Sequence, residues 1–287
     1  MAEKLEAVIL DWAGTTMDHG CMAPAVVFQK VFAEAGVPIT MEEARKPMGA
    51  HKKVHIRKIT EDPAVRSRWE AQYGRKPAEE DVQKMFESFV PAQIKILPEY
   101  AALIPGTLEA IAKFRELGLK IGSTTGYTGD MMKVLMVEAE KQGYVPDVTV
   151  CASGHYAIRK DDRYEWGFMP DLKGRPERDM CDLNAELLGV SKPYLCAKIG
   201  DTIPDIQEGK RAGMWAIGLA KTGNEMGLTE AEVNVLSRED LSARLEEIRY
   251  RMVCANVDYN VNSISEVPRA LEEINQRMAK FDHRPRF

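Results

Sequence analysis

The sequence predicts an α/β fold in which a parallel sheet forms the core and an α-helical cap domain is inserted into it. Three observations lead to this prediction. Short apolar runs alternate with helical stretches through most of the chain, residues 22–99 break that alternation, and polar residues follow four of the apolar runs. Strand–helix alternation is typical of a parallel sheet covered by helices on both faces.

The predicted strands are short and buried. Each is a run of a few apolar residues bounded by Gly, Pro or Asp, which favours a strand covered on both faces. They are "AVILDW" (7–12), "LKIGSTT" (119–125), "DVTVCAS" (147–153), "YLCAKIGD" (194–201) and "MWAIGLA" (214–220). A core built in this way is Rossmann-like.

Helical periodicity characterises the stretches between these strands, and each stretch ends in glycine, as helices often do. The predicted core helices are 106–118, 128–143, 177–189 and 202–213. From about residue 227 the chain is predicted to be mostly helical, with "SISEVPRALEEINQRMAKF" as its last helix.

Residues 22–99 are predicted to form successive helices without intervening strands. Thr40 is followed three residues later by Glu43, the pattern of a capping box at a helix start. Because this segment follows the first strand, we expect a separate cap domain. The predicted division is a core of residues 1–21 and 100–287 and a cap of residues 22–99.

Composition restricts the class of function. The chain has 287 residues, 45% of them hydrophobic and 29% charged, which is ordinary for a soluble globular protein. Its formal net charge of −5 argues against a nucleic-acid partner. The five cysteines contain no CxxC pair, and no apolar run reaches the roughly 18 residues of a membrane span. We therefore expect a cytoplasmic protein with no membrane or nucleic-acid partner.

Polar residues that could carry chemistry follow four predicted strands. In a parallel sheet the carboxyl ends of the strands form the ligand-binding edge. A lone aspartate there is often a turn former, and an acidic residue in a first helical turn is favoured by the helix dipole. Together, however, the four elements supply a nucleophilic carboxylate, hydroxyls, a cation and an acidic pair, as magnesium-dependent phosphoryl transfer requires. They are Asp11, residues 123–127, Arg175 in "KGRP", and Asp201 with Asp205 in "GDTIPD".

Ala13 raises a question about that chemistry. Phosphate-transferring enzymes often place a second carboxylate two residues after the nucleophile, where it protonates the leaving group. In this sequence the position holds alanine. If Asp11 is the nucleophile, another group must stabilise the leaving group in place of this acid.

Several motifs answer this question through a resemblance. The stretches "DWAGTTMDHGC", "ARKPMGAHKKVHIR", "IGSTTGYT", "GRP" and "GDTIPDIQEGKRAGMW" resemble the phosphonatase family of the haloacid dehalogenase superfamily over nearly the whole chain. That family cleaves the carbon–phosphorus bond of phosphonoacetaldehyde. The leaving group is then a carbanion beside an aldehyde, which protonation of an oxygen cannot help. A lysine imine can accept the electrons instead.

The resemblance also implies the residues involved. The cap segment offers three candidate lysines, Lys46, Lys52 and Lys53. The resemblance selects Lys52 as the imine-forming lysine, and its neighbour Lys53 is kept as the alternative. Asp11 is the implied nucleophile, and Mg²⁺ is the implied cofactor. The implied metal ligands are Asp11, the carbonyl of Ala13, Asp201 and Asp205, the last in support. The implied substrate-binding residues are Cys21, Met48, Gly49, His55, Thr125, Tyr127 and Arg175.

Further expectations accompany these assignments. Lys52 and His55 are three residues apart, so we expect them to share a helix face directed at the cleft. The Gly14 N–H could add to a phosphate cradle, and Gly49 could allow a close approach between cap and core. Cys21 is not expected to be a nucleophile, because nothing indicates a lowered thiol pKa. The resemblance implies a small-molecule phosphonate substrate and a homodimer with residues 24–36 as its contact.

Residues 153–173 depart from the family pattern. The segment is polar and rich in aromatic residues, and we predict a surface excursion between a strand and a helix. It could also reshape substrate access or contribute to an oligomer contact. It brings four cations that compete with Arg175 for the phosphonate, namely Arg159, Lys160, Arg163 and Lys173. Two other functions remain open: hydrolysis of a phosphate monoester, which the alanine at position 13 disfavours, and a catalytically silent scaffold.

Overall fold

The computed structural model describes residues 3–281, within which eight strands form a single sheet. The strands are β1 (Ala7–Leu10), β2 (Lys120–Thr125), β3 (Val148–Cys151), β4 (His155–Lys160), β5 (Arg163–Phe168), β6 (Cys196–Gly200), β7 (Trp215–Leu219) and β8 (Tyr259–Val261). Their spatial order is β5-β4-β3-β2-β1-β6-β7-β8. Six of them run parallel, and β4 and β5 are antiparallel to their neighbours. The predicted α/β fold is confirmed.

Five helices that follow β1 make up the predicted cap segment. They are α1 (Met22–Glu34), α2 (Met41–Arg45), α3 (Lys52–Glu61), α4 (Pro63–Tyr73) and α5 (Glu79–Ile96), followed by a 3-10 turn at Leu97–Tyr100. The capping box at the start of α2 is present, since Thr40 and Glu43 exchange side-chain to backbone hydrogen bonds. A purely helical segment thus interrupts the sheet after its first strand.

The remaining helices cover the sheet. They are α6 (Thr107–Glu116), α7 (Gly129–Lys141), α8 (Asp179–Leu187), α9 (Ile203–Arg211), α10 (Glu230–Val235), α11 (Arg238–Cys254) and α12 (Val267–Phe281). The predicted core helices correspond to α6 to α9, each shorter by a few residues at its ends. The predicted last helix is present as α12, preceded by a 3-10 turn at Ile264–Glu266.

Three strands were not predicted. Residues 153–173 form the hairpin β4–β5, which extends the sheet from β3 and is not an irregular excursion. Charged residues interrupt this segment, so it lacks an apolar run, although Tyr164, Trp166 and Phe168 alternate as strand residues do. The short strand β8 lies inside the part of the chain predicted to be mostly helical.

The central position of β1 places its end at the middle of the ligand-binding edge. β1 pairs with β2 on one side and with β6 on the other, so the strand order reverses beside it. Val8, Ile9 and Leu10 have no exposed surface, and burying each of these side chains stabilises the fold by about 2 kcal/mol. Asp11, the next residue, is thereby held at the switch point of the sheet.

Two chain crossings connect this edge with the cap helices, and they lie side by side. The Asp18 N–H donates to the Ala102 carbonyl at 3.1 Å, and the Ile104 N–H donates to the Thr16 carbonyl at 2.9 Å. The cap helices therefore enter and leave through one narrow junction above the carboxyl ends of the strands. Among the described helices, none combines the length and the apolarity needed to cross a membrane.

Candidate active site

A small cavity lies between the carboxyl ends of the central strands and the cap. Its volume is about 20 Å³, enough for about one water molecule. Every lining residue except Thr202 belongs to a position or strand-end element that was singled out from the sequence. The lining consists of Asp11, Ala13, Cys21, Met48, Gly49, Lys52, Thr125, Gly126, Tyr127, Arg175 and Thr202.

Asp11 is held by the guanidinium of Arg175. The Nη2 of Arg175 donates to Asp11 Oδ1 at 2.8 Å, and its Nε donates to Glu208 Oε2 at 2.9 Å. Although burial disfavours its charge, the carboxylates of Asp11, Asp205 and Glu208 raise the pKa of Arg175 above its usual value. A permanent cation therefore adjoins the carboxylate at the floor of the cavity.

The competing cations lie elsewhere. Arg159 pairs with Glu140 of α7 at 2.9 Å, and Arg163 pairs with Glu165 at 3.7 Å. Neither lines the cavity. Of the five basic residues that the sequence offered, the structure places Arg175 beside Asp11.

Lys52 reaches the cavity from the cap. It is the first residue of α3, where the helix dipole disfavours a cation. Its side chain is buried, with Nζ 4.7 Å from the ring centre of Tyr127 and 5.8 Å from that of Phe28. Burial lowers the pKa of Lys52 to about 8. A substantial fraction of its amine is therefore unprotonated near neutral pH.

The two other candidate lysines point away from the cavity. Lys46 pairs with Asp62 at 3.1 Å, and Lys53 pairs with Glu79 at 3.0 Å, both on the cap surface. The structure thus distinguishes Lys52 from its neighbours by burial and by its position in the cavity wall.

His55 is buried behind the cavity and is not part of its wall. Its Nε2 lies 2.8 Å from the Ala44 carbonyl, and its ring centre lies 3.8 Å from that of Phe28. Burial lowers the pKa of His55 well below its usual value, which keeps the ring neutral. The expectation that His55 shares a cleft-facing surface with Lys52 is corrected, because α3 carries it almost one turn deeper into the cap. Its contact is with the Phe28 ring that also borders Lys52.

The cap and the core approach closely at two glycines. Gly49 has a φ of +89°, and a Cβ there would lie 2.6 Å from Thr202 Oγ1. A Cβ on Gly126 would lie 2.7 Å from the Ala50 carbonyl oxygen. The expected close approach at Gly49 is present, and Gly126 supplies its counterpart on the core. Met48, beside Gly49, is buried in the cavity wall.

Three more predicted residues complete the wall. Burial raises the pKa of the Cys21 thiol well above its usual value, which agrees with the expectation that it is not a nucleophile. Thr125 Oγ1 accepts a hydrogen bond from the Tyr127 N–H at 3.1 Å. Burial likewise raises the pKa of Tyr127 well above its usual value, so that its hydroxyl stays protonated.

An acidic cluster lies beneath the cavity. Oxygen atoms of Asp11, Asp201 and Asp205 all lie within 4.8 Å of one another, and the three residues are buried. Burial, followed by the charges of Asp11 and Asp205, raises the pKa of Asp201 well above its usual range. A divalent cation would relieve this repulsion, and buried carboxylate oxygens are hard ligands of the kind that Mg²⁺ prefers. The residues present therefore fit magnesium.

Asp205 is tied to its neighbours more tightly than Asp201. Its Oδ1 accepts from Lys198 Nζ at 2.6 Å and lies 3.1 Å from Arg175 Nη2, while its Oδ2 accepts from the Thr202 hydroxyl. Although burial favours the neutral acid, Arg175 and Lys198 lower the pKa of Asp205. Both of its oxygens are occupied by these partners, which agrees with a supporting place at the metal site.

Lys198 and Glu208 were missed by sequence reasoning. Both are fully buried, and Glu208 Oε2 lies 3.7 Å from Lys198 Nζ. Two signals were available: a lysine inside an apolar strand, and an acidic residue one helical turn after Asp205. Each is weak alone, because the charge compensation between them becomes visible only when strand and helix are packed together.

The expectation for the Gly14 N–H is wrong. That N–H donates to the Met17 carbonyl at 2.7 Å, in a tight turn that precedes α1 by several residues. No helix starts at this point, and the Gly14 N–H is not a free donor for a phosphate. Gly14 is needed for a different reason, because a Cβ there would collide with the carboxylate of Asp201.

Comparison with known proteins identifies the family of the chain. A model of the family described as haloacid dehalogenase-like hydrolase matches residues 5–213. The chain belongs to this family. Within it, phosphonoacetaldehyde hydrolases of Bacillus cytotoxicus and of Bacillus cereus strain B4264 are each 43% identical to the chain over 274 residues, covering 96% of the chain and 98% of the relative. The protein is accordingly a hydrolase.

Solved structures agree with the fold. A phosphonoacetaldehyde hydrolase-like protein of Oleispira antarctica superposes with a TM-score of 0.91 at 34% identity, covering 99% of this chain and 97% of the other. A putative β-phosphoglucomutase of Bacteroides vulgatus superposes with a TM-score of 0.61 at 17% identity, covering 97% and 92%. The second likeness concerns the fold alone.

Proposed function

We propose that the protein hydrolyses the carbon–phosphorus bond of phosphonoacetaldehyde to acetaldehyde and inorganic phosphate. The similarity to phosphonoacetaldehyde hydrolases extends over nearly the whole chain. The observation that carries the proposal is that the buried amine of Lys52, the carboxylate of Asp11 and the methyl group of Ala13 line one cavity. An amine and a nucleophile face the same substrate, and no carboxylate stands where a leaving-group acid would be.

The first part of the reaction takes place at Lys52. Its unprotonated amine condenses with the aldehyde to form an imine and releases water. Protonation of the imine nitrogen makes it an electron acceptor. The aromatic face of Tyr127 near Nζ stabilises the resulting cation.

The second part takes place at Asp11. Its carboxylate attacks phosphorus in line, the carbon–phosphorus bond breaks, and the bonding electrons flow into the iminium to give an enamine. Arg175 orients the carboxylate through Oδ1 and, with Thr125, would bind the phosphonate oxygens. Water then hydrolyses the aspartyl phosphate. Protonation of the enamine at carbon and hydrolysis of the imine release acetaldehyde and restore Lys52.

Mg²⁺ would be held by the carboxylates of Asp11 and Asp201 and by the carbonyl of Ala13, with Asp205 in support. When bound, it offsets the repulsion between the anionic phosphonate and the attacking carboxylate. Cys21, Met48, Gly49 and His55 are proposed to complete the substrate site, His55 indirectly, from behind Lys52.

Substrate entry requires the cap to move. A cavity of about 20 Å³ holds about one water molecule, far less than phosphonoacetaldehyde occupies. The close contacts at Gly49 and Gly126 therefore describe a closed arrangement. We propose that the cap opens at the paired chain crossings and that closure brings Lys52 to Asp11.

A homodimer in the cytoplasm is also proposed. The contact is expected at residues 24–36, beside a cap-surface groove of about 330 Å³ whose lining includes Val31, Trp69 and the exposed ring of Tyr73. Sedimentation should show a species of twice the chain mass. A monomer at micromolar concentration would contradict the dimer without touching the proposed chemistry.

Borohydride trapping tests the proposed function. The protein is incubated with phosphonoacetaldehyde, borohydride is added, and the adduct is mapped by mass spectrometry while phosphate is measured in parallel. We expect an adduct on Lys52, none on Lys53, and neither adduct nor phosphate with Lys52→Arg, which keeps the charge but cannot form the imine. Release of phosphate from monoesters without any adduct would instead indicate an ordinary phosphatase. If the unmodified protein gives neither an adduct nor phosphate with phosphonoacetaldehyde, the proposal is wrong.

A further inference from the structure

Arg45 is a buried cation that makes no ion pair among residues 3–281. It ends α2, its exposure is only 9%, and its hydrogen-bond acceptors are neutral. Burying a guanidinium without a carboxylate costs free energy that neutral acceptors offset only in part. The carboxylates of Asp18 and Glu232 act on this guanidinium through space, without a hydrogen bond. The acceptors are the carbonyl of Gly20 at 2.6 Å, the carbonyl of Cys21 at 3.3 Å, Asn224 Oδ1 at 3.1 Å and Met22 Sδ at 2.9 Å.

These acceptors belong to two different parts of the molecule. Gly20 and Cys21 form the crossing from core to cap, and Asn224 lies in a core loop after β7. Asn224 meets Arg45 twice, because its Oδ1 accepts from the guanidinium and its Nδ2 donates to the Arg45 carbonyl at 3.5 Å. The orientation of this amide is thus determined from the cap.

The loop that contains Asn224 also contacts the carboxylate of Asp201. The backbone N–H of Asn224 donates to Asp201 Oδ2 at 2.7 Å, and a Cβ on Gly223 would collide with the same carboxylate. Thr222 Oγ1 donates to the Gly14 carbonyl at 3.0 Å, and the Thr222 carbonyl accepts from the Gly20 N–H at 2.7 Å. The loop is therefore bonded both to the crossing and to a carboxylate of the metal site.

We propose that Arg45 is a positioning residue that couples seating of the cap to the magnesium site, by holding Asn224 so that its backbone amide orients Asp201. This inference rests on the proposed function, since it concerns the metal of that same reaction. When the cap is seated, Arg45 fixes Asn224 and Asp201 is held for the metal. By linkage, magnesium favours the seated cap as much as the seated cap favours magnesium.

The inference is tested by titrating the 287-residue chain with Mg²⁺ in the absence of substrate and measuring the dissociation constant by calorimetry. Arg45→Met keeps the length of the side chain and removes its donors. We expect its Mg²⁺ dissociation constant to rise about tenfold, the usual effect of losing a residue that orients a metal ligand. Asn224→Ala should give a similar rise, and the double variant should be no weaker than the weaker single variant, because both act through one chain of contacts.

The matched control is Arg68→Met. Arg68 lies in α4 and pairs at 2.6 Å with Glu43 of α2, the helix that also carries Arg45. This contact is made within the cap, so its loss removes an arginine contact from α2 without touching the core. Its magnesium affinity should equal that of the unmodified protein. Hydrogen exchange of the metal-free proteins should show faster exchange of the residue 222–228 amides in Arg45→Met and not in Arg68→Met.

The outcomes separate the two proposals. Unchanged magnesium affinity in folded Arg45→Met overturns the inference, as does an additive double variant. If Arg45→Met does not fold, Arg45→Lys keeps the charge and a single donor nitrogen, and it should weaken magnesium binding by a smaller factor; full affinity in that variant also overturns the inference. Imine formation on Lys52 needs no metal, so a missing adduct in the unmodified protein counts against the proposed function and leaves the magnesium comparison intact.

Discussion

The pH dependence of imine formation tests the assignment of Lys52 most directly. Burial lowers the pKa of Lys52 from 10.5 to about 8. The amine, and not the ammonium, attacks the aldehyde. The rate of imine formation should therefore follow the fraction of Lys52 that is unprotonated.

The expected size of this effect follows from the shift. At pH 7 a lysine of pKa 8 is roughly 10% amine, whereas one of pKa 10.5 is roughly 0.03% amine, a difference of roughly 300-fold. The direction of the pH dependence follows from the lowered pKa, because the amine fraction increases as the pH rises toward 8. The rate should rise about tenfold per pH unit below pH 8 and level off above it.

The assay is rapid borohydride trapping at a series of pH values, with the modified peptide quantified by mass spectrometry. Lys53, which pairs with Glu79 on the surface, provides the internal comparison and should remain nearly unmodified. A rate that still climbs tenfold per unit well above pH 9 would refute the reasoning, because it would show that the amine is not desolvated in the working enzyme.

Burial as the cause of the lowered Lys52 pKa can be tested with two buried phenylalanines whose rings stack on each other. The ring centre of Phe28 lies 5.8 Å from Lys52 Nζ, and the stacked ring of Phe89 has its centre 4.4 Å from that of Phe28. Phe28→Ala should admit water to Lys52, raise the midpoint of the pH profile and reduce trapping at pH 7. Phe89→Ala removes the same volume one ring further away and should leave the midpoint near 8.

Three further changes have definite expected outcomes. Ala13→Asp adds a carboxylate beside Asp11 and should lower phosphate release from phosphonoacetaldehyde; a clear gain would show that a leaving-group acid is needed. Gly49→Ala would place a Cβ 2.6 Å from Thr202 Oγ1 at a positive φ, so it should unseat the cap. We expect kcat/KM to fall roughly a hundredfold, the effect of misplacing a catalytic group by about 1 Å; steady-state kinetics measures this, and an unchanged value would contradict a closed working state. Chelation of magnesium should stop phosphate release and preserve the borohydride adduct on Lys52, and loss of both would place the metal in imine formation.

Much of the fold was predictable from the sequence because its signals are local. The strands β1, β2, β3, β6 and β7 are apolar runs, and β1 is buried on both faces. Since parallel strands present their carboxyl ends at one edge, the residues after these runs had to meet. The hairpin and β8 escaped prediction because the first is charged and the second is only three residues long.

The candidate site divides in a similar way. Asp11, Ala13 and Thr125 could be placed because each lies at a strand end or within three residues of one. The choice of Lys52 over Lys53 rested on resemblance, because consecutive residues of a helix look alike in sequence until the packing of the cap buries one of them. His55 was misplaced for the same reason, since a spacing of three residues indicates a shared face but not the depth of each residue.

The sequence by itself determined the parallel sheet, the inserted helices and the chemical groups available at the edge where they meet. Only the tertiary structure decided how those groups act on one another. It placed Glu208 and Lys198 beside Arg175 and Asp205, and it removed water from Lys52. Electrostatic interactions and desolvation depend on distances between residues far apart in the chain, so the pKa values of these groups become defined only when cap and core are packed together.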